Sequence, residues 1–248
     1  MGLIKICAIS DMHGQFDFNI DPAYVFFDNE GNWDIIPIDI LFICGDIVPL
    51  KMQRNIPQSL KWFKESFIPW CKKQPVEQIY MVGGNHDFFL ESEEKEIKKL
   101  LMGTNITILY NEGAEYLDNA GKVWTIWGSP NCHIFGNWAF MYSDEHNKEM
   151  YERMPENVDF CITHDMGYER SDQCLGFIHE YDQELHRGNK PLAEVLEEKQ
   201  PRYHFGGHLH TCNHDIIEYT GTKTACVSLL NEQYSKFYKP LYIEITYE

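Results

Sequence analysis

Five short segments rich in histidine and aspartate are spread along this chain: Asp11-Met12-His13, Gly45-Asp46, Gly84-Asn85-His86-Asp87, Thr163-His164 and Gly207-His208-Leu209-His210. Each follows or lies close to a stretch that reads as a β-strand, so a fold that gathers them must bring several strand ends to one edge of a sheet. Gathered there, they form a metal site with donors enough for two ions. A carboxylate such as Asp46 can bridge two cations, while imidazoles and the Asn85 amide oxygen complete each shell with neutral donors. Mixed oxygen and nitrogen donors suit manganese, iron or zinc better than calcium. Such a centre points to hydrolysis at phosphorus. If Asp11 and His13 lie on extended backbone, their side chains fall on the same side, and the same holds for His208 and His210. Gly14, Gly45, Gly84 and Gly207 allow tight turns and close backbone approach beside these ligands.

The strands that carry the motifs are legible as short apolar runs. Lys5 to Ser10, Pro37 to Cys44 and Gln78 to Val82 read as buried strands with their chemistry at the C-terminal end. Tyr24 to Trp33, with a turn at Asn29 to Asn32, reads as a hairpin or ordered loop. Ser59 to Cys71 has helical spacing that Pro69 ends or kinks, and Glu91 to Met102 is a helix whose charge order suits its dipole. Strands follow at 106–110, 114–117, 123–127, 160–163, 224–229 and 241–246, with a hairpin turn at Asp118 to Gly121. Helices fit 143–154 and 191–200. With 44% hydrophobic residues among 248, the chain can bury a substantial core. The expected architecture is α/β: one domain spanning 1–248, with two packed mixed sheets flanked by helices, α-β-β-α.

A formal charge of −17 argues against a protein that grips long nucleic acid, so an anionic substrate is drawn in locally by metal ions. No run approaches the length of a membrane span, the start does not read as a signal peptide, and Ile6 stands where a myristoylation motif wants Ser or Thr. None of the eight cysteines forms a C-x-x-C pair, and Cys7, Cys44, Cys161 and Cys226 sit in apolar runs, which suits reduced thiols in the cytoplasm. Oligomeric state is not legible.

The ordered set D-x-H, G-D, G-N-H-D, T-H and G-H-x-H resembles the calcineurin-like metallophosphoesterase superfamily from Asp11 to His210. Gly128-Ser129-Pro130, Asn137-Trp138-Ala139-Phe140 and Phe205-Gly206-Gly207-His208 look like its MPPED-type phosphodiesterase branch. The resemblance implies that Asp11, His13 and His210 hold one divalent ion and Asn85, His164 and His208 the other, with Asp46 bridging. A hydroxide between the ions then attacks phosphorus in line. His86 would not ligate, but would face the substrate, stabilising the phosphoryl group or protonating the leaving oxygen. Asp87 either supports His86 or a ligand from behind, or caps the helix that starts at Phe88; both readings stay open. The sequence departs from the family at Asn131 to His133 and at Asp165 to Gly167, which bear on the substrate pocket.

His133 and Asn137 are candidate substrate contacts, and Trp138 can border the pocket. His204 reads as structural, whereas His146, His179, His186 and His214 read as solvated or packed. Protein serine/threonine phosphatases carry arginines beside the metal motifs, and their lack here favours phosphodiesters in nucleotide-like small molecules. Alternatives are a phosphomonoesterase of the same fold and a non-catalytic scaffold, the latter opposed by a full ligand set.

Overall fold

The computed structural model describes residues 2–16, 18, 20, 24–27, 33–174, 186–235 and 238–248, with 24–27 and 33–36 described as backbone strands. The chain runs β1 (Gly2–Ile9), an antiparallel pair β2 (Tyr24–Phe27) and β3 (Trp33–Ile36), then β4 (Ile38–Cys44). A helical segment follows, from α1 (Ile56–Trp62) through a π-helical turn (Phe63–Phe67) to α2 (Ile68–Cys71). Next come β5 (Val76–Val82), α3 (Phe88–Ser92), α4 (Glu94–Leu101), β6 (Ile106–Ile108), β7 (Glu112–Leu117) and β8 (Val123–Ser129). The remainder is α5 (Asp144–Tyr151), β9 (Phe160–Thr163), α6 (Lys190–Lys199), β10 (Tyr203–Gly206), β11 (Ile217–Tyr219), β12 (Thr222–Cys226) and β13 (Leu241–Tyr247).

Two sheets form. One has the order β13-β1-β4-β5-β6 and the other β11-β12-β10-β9-β8-β7. In each the interior strands are parallel; β13, β7 and β11 close their edges antiparallel, whereas β6 lies parallel to β5 at the other edge of the first sheet. The apolar runs alternate between two destinations because successive side chains of a strand point to opposite faces. Ile4, Ile6, Ala8, Ile40, Phe42, Tyr80 and Val82 meet Trp124, Ile126, Phe160, Ile162, Tyr203 and Phe205 in the core between the sheets. Phe42 stands 5.2 Å from Phe160 and 5.7 Å from Phe205, ring centre to ring centre. Burying each such ring contributes about 1.5–3 kcal/mol. The alternate residues Cys7, Ile9, Leu41, Ile43, Ile79 and Met81 pack outward against Phe63, Phe67, Phe89 and Ile97 of the first helical layer. On the far side Trp127 and Cys161 pack against Tyr151, Leu192 and Leu196 of α5 and α6. The order of layers is therefore α-β-β-α.

Several expectations shift in detail. The first long helix begins at Ile56, where Asn55 accepts from Gln58 N–H, and it admits Pro69 without breaking. The wider turn absorbs the proline, with Ile68 N–H reaching back to Phe63 O. The 91–102 helix is two helices, parted at Glu93. The strand expected at 224–229 ends at Cys226, and β10 and β11 are strands that the apolar pattern does not announce. The Asn29–Asn32 turn and His179 lie outside the described residues. All eight cysteines are free and seven are buried, Cys174 being intermediate. Among the described residues no helix is long and apolar enough to cross a membrane.

Candidate metal centre

Every motif lies just past the C-terminal end of a parallel strand: Asp11 and His13 after β1, Asp46 after β4, Asn85 and His86 after β5, His164 after β9, His208 and His210 after β10. Carboxyl ends of parallel strands are the usual place for a ligand site in α/β folds, since side chains and loops converge there. Here the ends of two sheets converge. Asp11 N–H donates to Gly45 O (3.0 Å), His13 N–H to Asp46 O (3.0 Å) and Gly207 N–H to His164 O (2.8 Å). Across the sheets, Ser10 N–H donates to Val227 O (2.9 Å), and Oδ2 of Asp11 accepts from His208 N–H (2.9 Å) and from the Ser228 hydroxyl (2.7 Å).

The pairs Asp11/His13 and His208/His210 do not reach the site by strand alternation. Both lie beyond their strands, and Asp11, His13, Asp46 and His208 adopt positive φ of 53°, 43°, 52° and 67°. Left-handed backbone costs a non-glycine residue about 1–3 kcal/mol and persists only where its surroundings impose it, a pattern typical of functional sites. Turning the chain in this way aims both side chains of each pair inward.

The ligand atoms of Asp11, His13 and His210 all lie within 4.8 Å of one another, as do those of Asp11, Asp46 and His164, and those of His13, Asp46 and His86. Asn85 joins through Oδ1, 2.9 Å from His164 Nε2, and the His208 ring stands 5.2 Å from that of His164. Backbone carbonyls set the imidazole tautomers: Cys44 O lies 2.7 Å from His164 Nδ1 and Asn231 O 3.1 Å from His210 Nδ1, leaving each Nε2 facing the cluster. A ring nitrogen held from behind is the arrangement of metal-ligating histidines. The decisive sign is what has no partner. Asp11 Oδ1 and both nitrogens of His13 are buried without a hydrogen bond, although His210 Nε2 comes within 3.3 Å of Asp11 Oδ1. Buried polar atoms left unsatisfied cost about 1–3 kcal/mol each, and a cation would satisfy several at once. This donor set fits divalent metals.

Without an ion the charges press on one another. Burial opposes the anion of Asp46, yet His164, His86 and His13 outweigh it and hold the carboxyl well below its ordinary range. Burial likewise opposes a charged His164, but Asp46 and Asp11 lift it to about 10, whereas burial prevails at His13 and His208 and lowers both to about 4.

His86 is half-buried. Its Nε2 lies 3.8 Å from Asp46 Oδ2, its N–H donates to Asp46 Oδ1 (2.8 Å), Gln53 Oε1 contacts Nδ1, and Trp138 covers one face at 4.6 Å. Asp87 does not cap α3. Its fully buried carboxylate accepts from the N–H groups of Gly84 (2.9 Å), Ile47 (3.1 Å) and Val48 (3.0 Å), lashing the Asp46 loop to the Asn85 loop. Burial and Asp46 push it up to about 7. The Asn137 side chain is exposed and its carbonyl accepts from Arg54 (2.7 Å), whose guanidinium spreads over Phe88 and Trp138. His133 sits by the centre, its ring 6.2 Å from His208, with Nδ1 2.7 Å from the buried Asp165. His204 bridges the hydroxyls of Thr163 and Thr224 at 2.8 Å each and is structural. Gln53, Ser228 and Tyr234, whose ring stands edge-on to His13 at 4.8 Å, belong to the site but to no motif, whereas Asp165 opens the Asp165–Gly167 stretch that the sequence marks as a departure from the family. No spacing signal marks the first three.

The sequence profile of the calcineurin-like phosphoesterases matches residues 4–212. The chain belongs to that family. Among curated phosphoesterase relatives, the uncharacterized metallophosphoesterase YkoQ of Bacillus subtilis is 24% identical over 163 residues, 65% of this chain and 53% of its own. A probable rhamnogalacturonate lyase C of Emericella nidulans is 26% identical over 178 residues, 69% of this chain but 15% of that protein. The chain thus spans about half or less of the length of these relatives. The same fold recurs in solved structures: one, 15% identical, superposes with a TM-score of 0.65 over 90% of each chain. Phosphopantetheinyl hydrolase of Mycobacterium tuberculosis, 14% identical, does so at 0.55 over 92% of this chain and 90% of its own.

Proposed function

We propose that this phosphoesterase is a phosphodiesterase that uses two divalent ions, manganese, iron or zinc, to hydrolyse nucleotide-like small molecules. The observation that carries the reading is the gathering, from strand ends of both sheets, of carboxylates and imidazoles among which buried Asp11 Oδ1 and both nitrogens of His13 find no hydrogen-bond partner, with the half-buried His86 beside them. Asp11, His13 and His210 would hold one ion and Asn85, His164 and His208 the other, with Asp46 shared. Bound there, the ions supply Lewis acidity and an acidified water. The protein's own residues do the rest. The carbonyls of Cys44 and Asn231 keep two imidazoles in the ligating tautomer. Asp87 fixes the backbone of both ligand loops, and Gln53 with Trp138 turns His86 Nε2 towards the cluster, where it donates a proton to the departing oxygen.

Preference for a diester follows from the cations near the reacting centre. Among the described residues, Asp11 and Asp46 pair with histidines alone, and Arg54 is engaged over Phe88 and Trp138. A monoester dianion lacks the guanidinium clamp it favours, whereas a diester monoanion needs less. Long nucleic acid is disfavoured by the net charge of −17, and free thiols suit a cytoplasmic setting. Turnover of bis(p-nitrophenyl) phosphate and of p-nitrophenyl phosphate, with manganese added, tests the preference; faster monoester turnover sinks it. His86→Ala is expected to lower diester kcat about a hundred- to ten-thousand-fold while metal content stays unchanged. Loss of metal along with activity would make His86 a ligand instead.

A further inference from the structure

Beyond His208 the site opens into a cleft of about 590 Å³. It joins the metal centre through one loop, since His133 and Phe135 both stand against the His208 ring, at 6.2 and 5.0 Å. The half-buried part of its wall consists of rings with polar edges: His133, Tyr142, Tyr168 and His186. Two of these rings are built alike. His133 Nδ1 lies 2.7 Å from Asp165 Oδ2 and His186 Nδ1 2.6 Å from Asp172 Oδ1, and both aspartates are fully buried. Each carboxylate is further anchored: Asp165 accepts from the N–H groups of His133 (3.0 Å) and Met166 (3.0 Å), and Asp172 from that of Gly188 (2.8 Å). A carboxylate behind Nδ1 fixes the tautomer and leaves Nε2 as the free edge of the ring. Among the described residues no hydrogen bond reaches either Nε2. Packing alone does not call for two imidazoles held in this way at one cleft.

The wall also restricts what can enter. Its exposed rim carries Ile134 and Phe135 and balances Arg187 and Lys190 against Asp144 and Glu145, so it does not select a bare anion. Polar ring edges are a poor surface for a lipid chain, because they would be desolvated without partners. The volume lies within the ~300–1,000 Å³ of small-molecule pockets and is far more than a simple alcohol needs. A heteroaromatic ring with sugar hydroxyls meets all three conditions, stacking on aromatic faces and donating to imidazole nitrogens. Tyr168 offers such a ring, with His186 at 5.6 Å and the Nζ of exposed Lys190 over it at 4.9 Å from its centre, a side chain that a stacking base would displace.

We propose that this cleft is a nucleoside subsite, in which Nε2 of the Asp172-held His186 and of the Asp165-held His133 accept hydrogen bonds from sugar or base and Tyr168 stacks on the base, while the attached phosphoester reaches the metal centre past His208. The assignment deepens the phosphodiesterase reading and rests on it. Two diesters with one leaving group test it: the p-nitrophenyl phosphodiesters of thymidine and of methanol, compared in wild type, His186→Ala and Tyr168→Ala with manganese. One lost hydrogen bond to a ligand corresponds to about a tenfold loss, so the ratio of kcat/KM for the thymidine diester over the methyl diester is expected to fall about tenfold in His186→Ala, through KM. A ratio within about twofold of wild type overturns the subsite. Saturation-transfer NMR of thymidine with the zinc-loaded full chain needs no turnover: signal in wild type that is lost in His186→Ala supports the subsite, and absent or unaltered signal overturns it. Wild type that hydrolyses neither diester fails the phosphodiesterase reading, and the NMR result then judges the subsite by itself.

Discussion

A single added methyl group measures how tightly the metal centre is built. A Cβ on Gly84 would run into the backbone nitrogen and Oδ1 of Asp46, neither of which can move without moving a candidate ligand. Overpacking of this kind costs about 1–3 kcal/mol, and here the strain falls on the shared carboxylate. Gly84→Ala is therefore expected to lose that much stability in urea and to take up less divalent metal. Gly113→Ala, which meets only Ile126 O at an ordinary 3.5 Å, is its control and should stay within about 0.5 kcal/mol. Normal metal content in Gly84→Ala would show that the close approach is incidental. The candidate ligands were legible because aspartate and histidine at strand ends carry chemistry in their residue type. Gln53, Ser228 and Tyr234 were not, since they reach the centre from loops whose position only the folded chain defines. Asp87 was legible as important, but its partners were not, because whether a carboxylate caps its own helix or crosses to Ile47 and Val48 depends on a neighbour 40 residues away.

Among the elements, β10 holds the second sheet together in a way that pH can expose. It lies between β9 and β12, and its His204 joins Thr163 on one to Thr224 on the other. Burial lowers this imidazole to about 3. Its folded pKa is below the ordinary histidine value, so stability is full above about pH 6.5 and falls as pH drops from there towards 3, by about 1.4 kcal/mol per pH unit. His204→Gln removes the titration. The stability gap between wild type and this variant, from urea melts at pH 7.5 and pH 5, is expected to narrow by about 2 kcal/mol at the lower pH. An unchanged gap would mean that His204 titrates in the fold as it does in the unfolded chain, and a wider gap at pH 5 that it is already charged in the fold. Four-residue β10 also shows why part of the sheet was hidden: half of Tyr203-His204-Phe205-Gly206 is histidine and glycine, so no apolar run marks it. β11, largely exposed, offers no buried face to read. The long runs of β1, β4 and β5, apolar because both faces are covered, were legible for the opposite reason.

At the scale of the whole molecule, the candidate ligands divide between the sheets, with Asp11, His13, Asp46 and Asn85 on the first, beside His86, and His164, His208 and His210 on the second. The apolar core already joins the sheets face to face, and the metal edge adds the Ser10 contacts to Val227 and Leu229 and the Asp11 contacts to His208 and Ser228. An ion held from both sides binds the folded chain and not the unfolded one, so it must stabilise the fold by mass action. At a hundred times its Kd the gain is about 2.7 kcal/mol. For a chain of this size that raises Tm by roughly 5–10 °C. A charge of −17 complicates the test, because any cation relieves self-repulsion by screening. Two controls separate the effects. Melting in about 0.2 M sodium chloride leaves a Debye length of less than about 8 Å and removes most of the general gain. Asp46→Asn changes the net charge by a single unit but takes the shared anion from the centre. Manganese is expected to raise the Tm of wild type under these conditions, with EDTA reversing it, and to leave Asp46→Asn nearly unmoved. Equal shifts in both proteins would mean that the ions act on the surface as a whole, and that the buried lone pairs of Asp11 and His13 are satisfied in some other way.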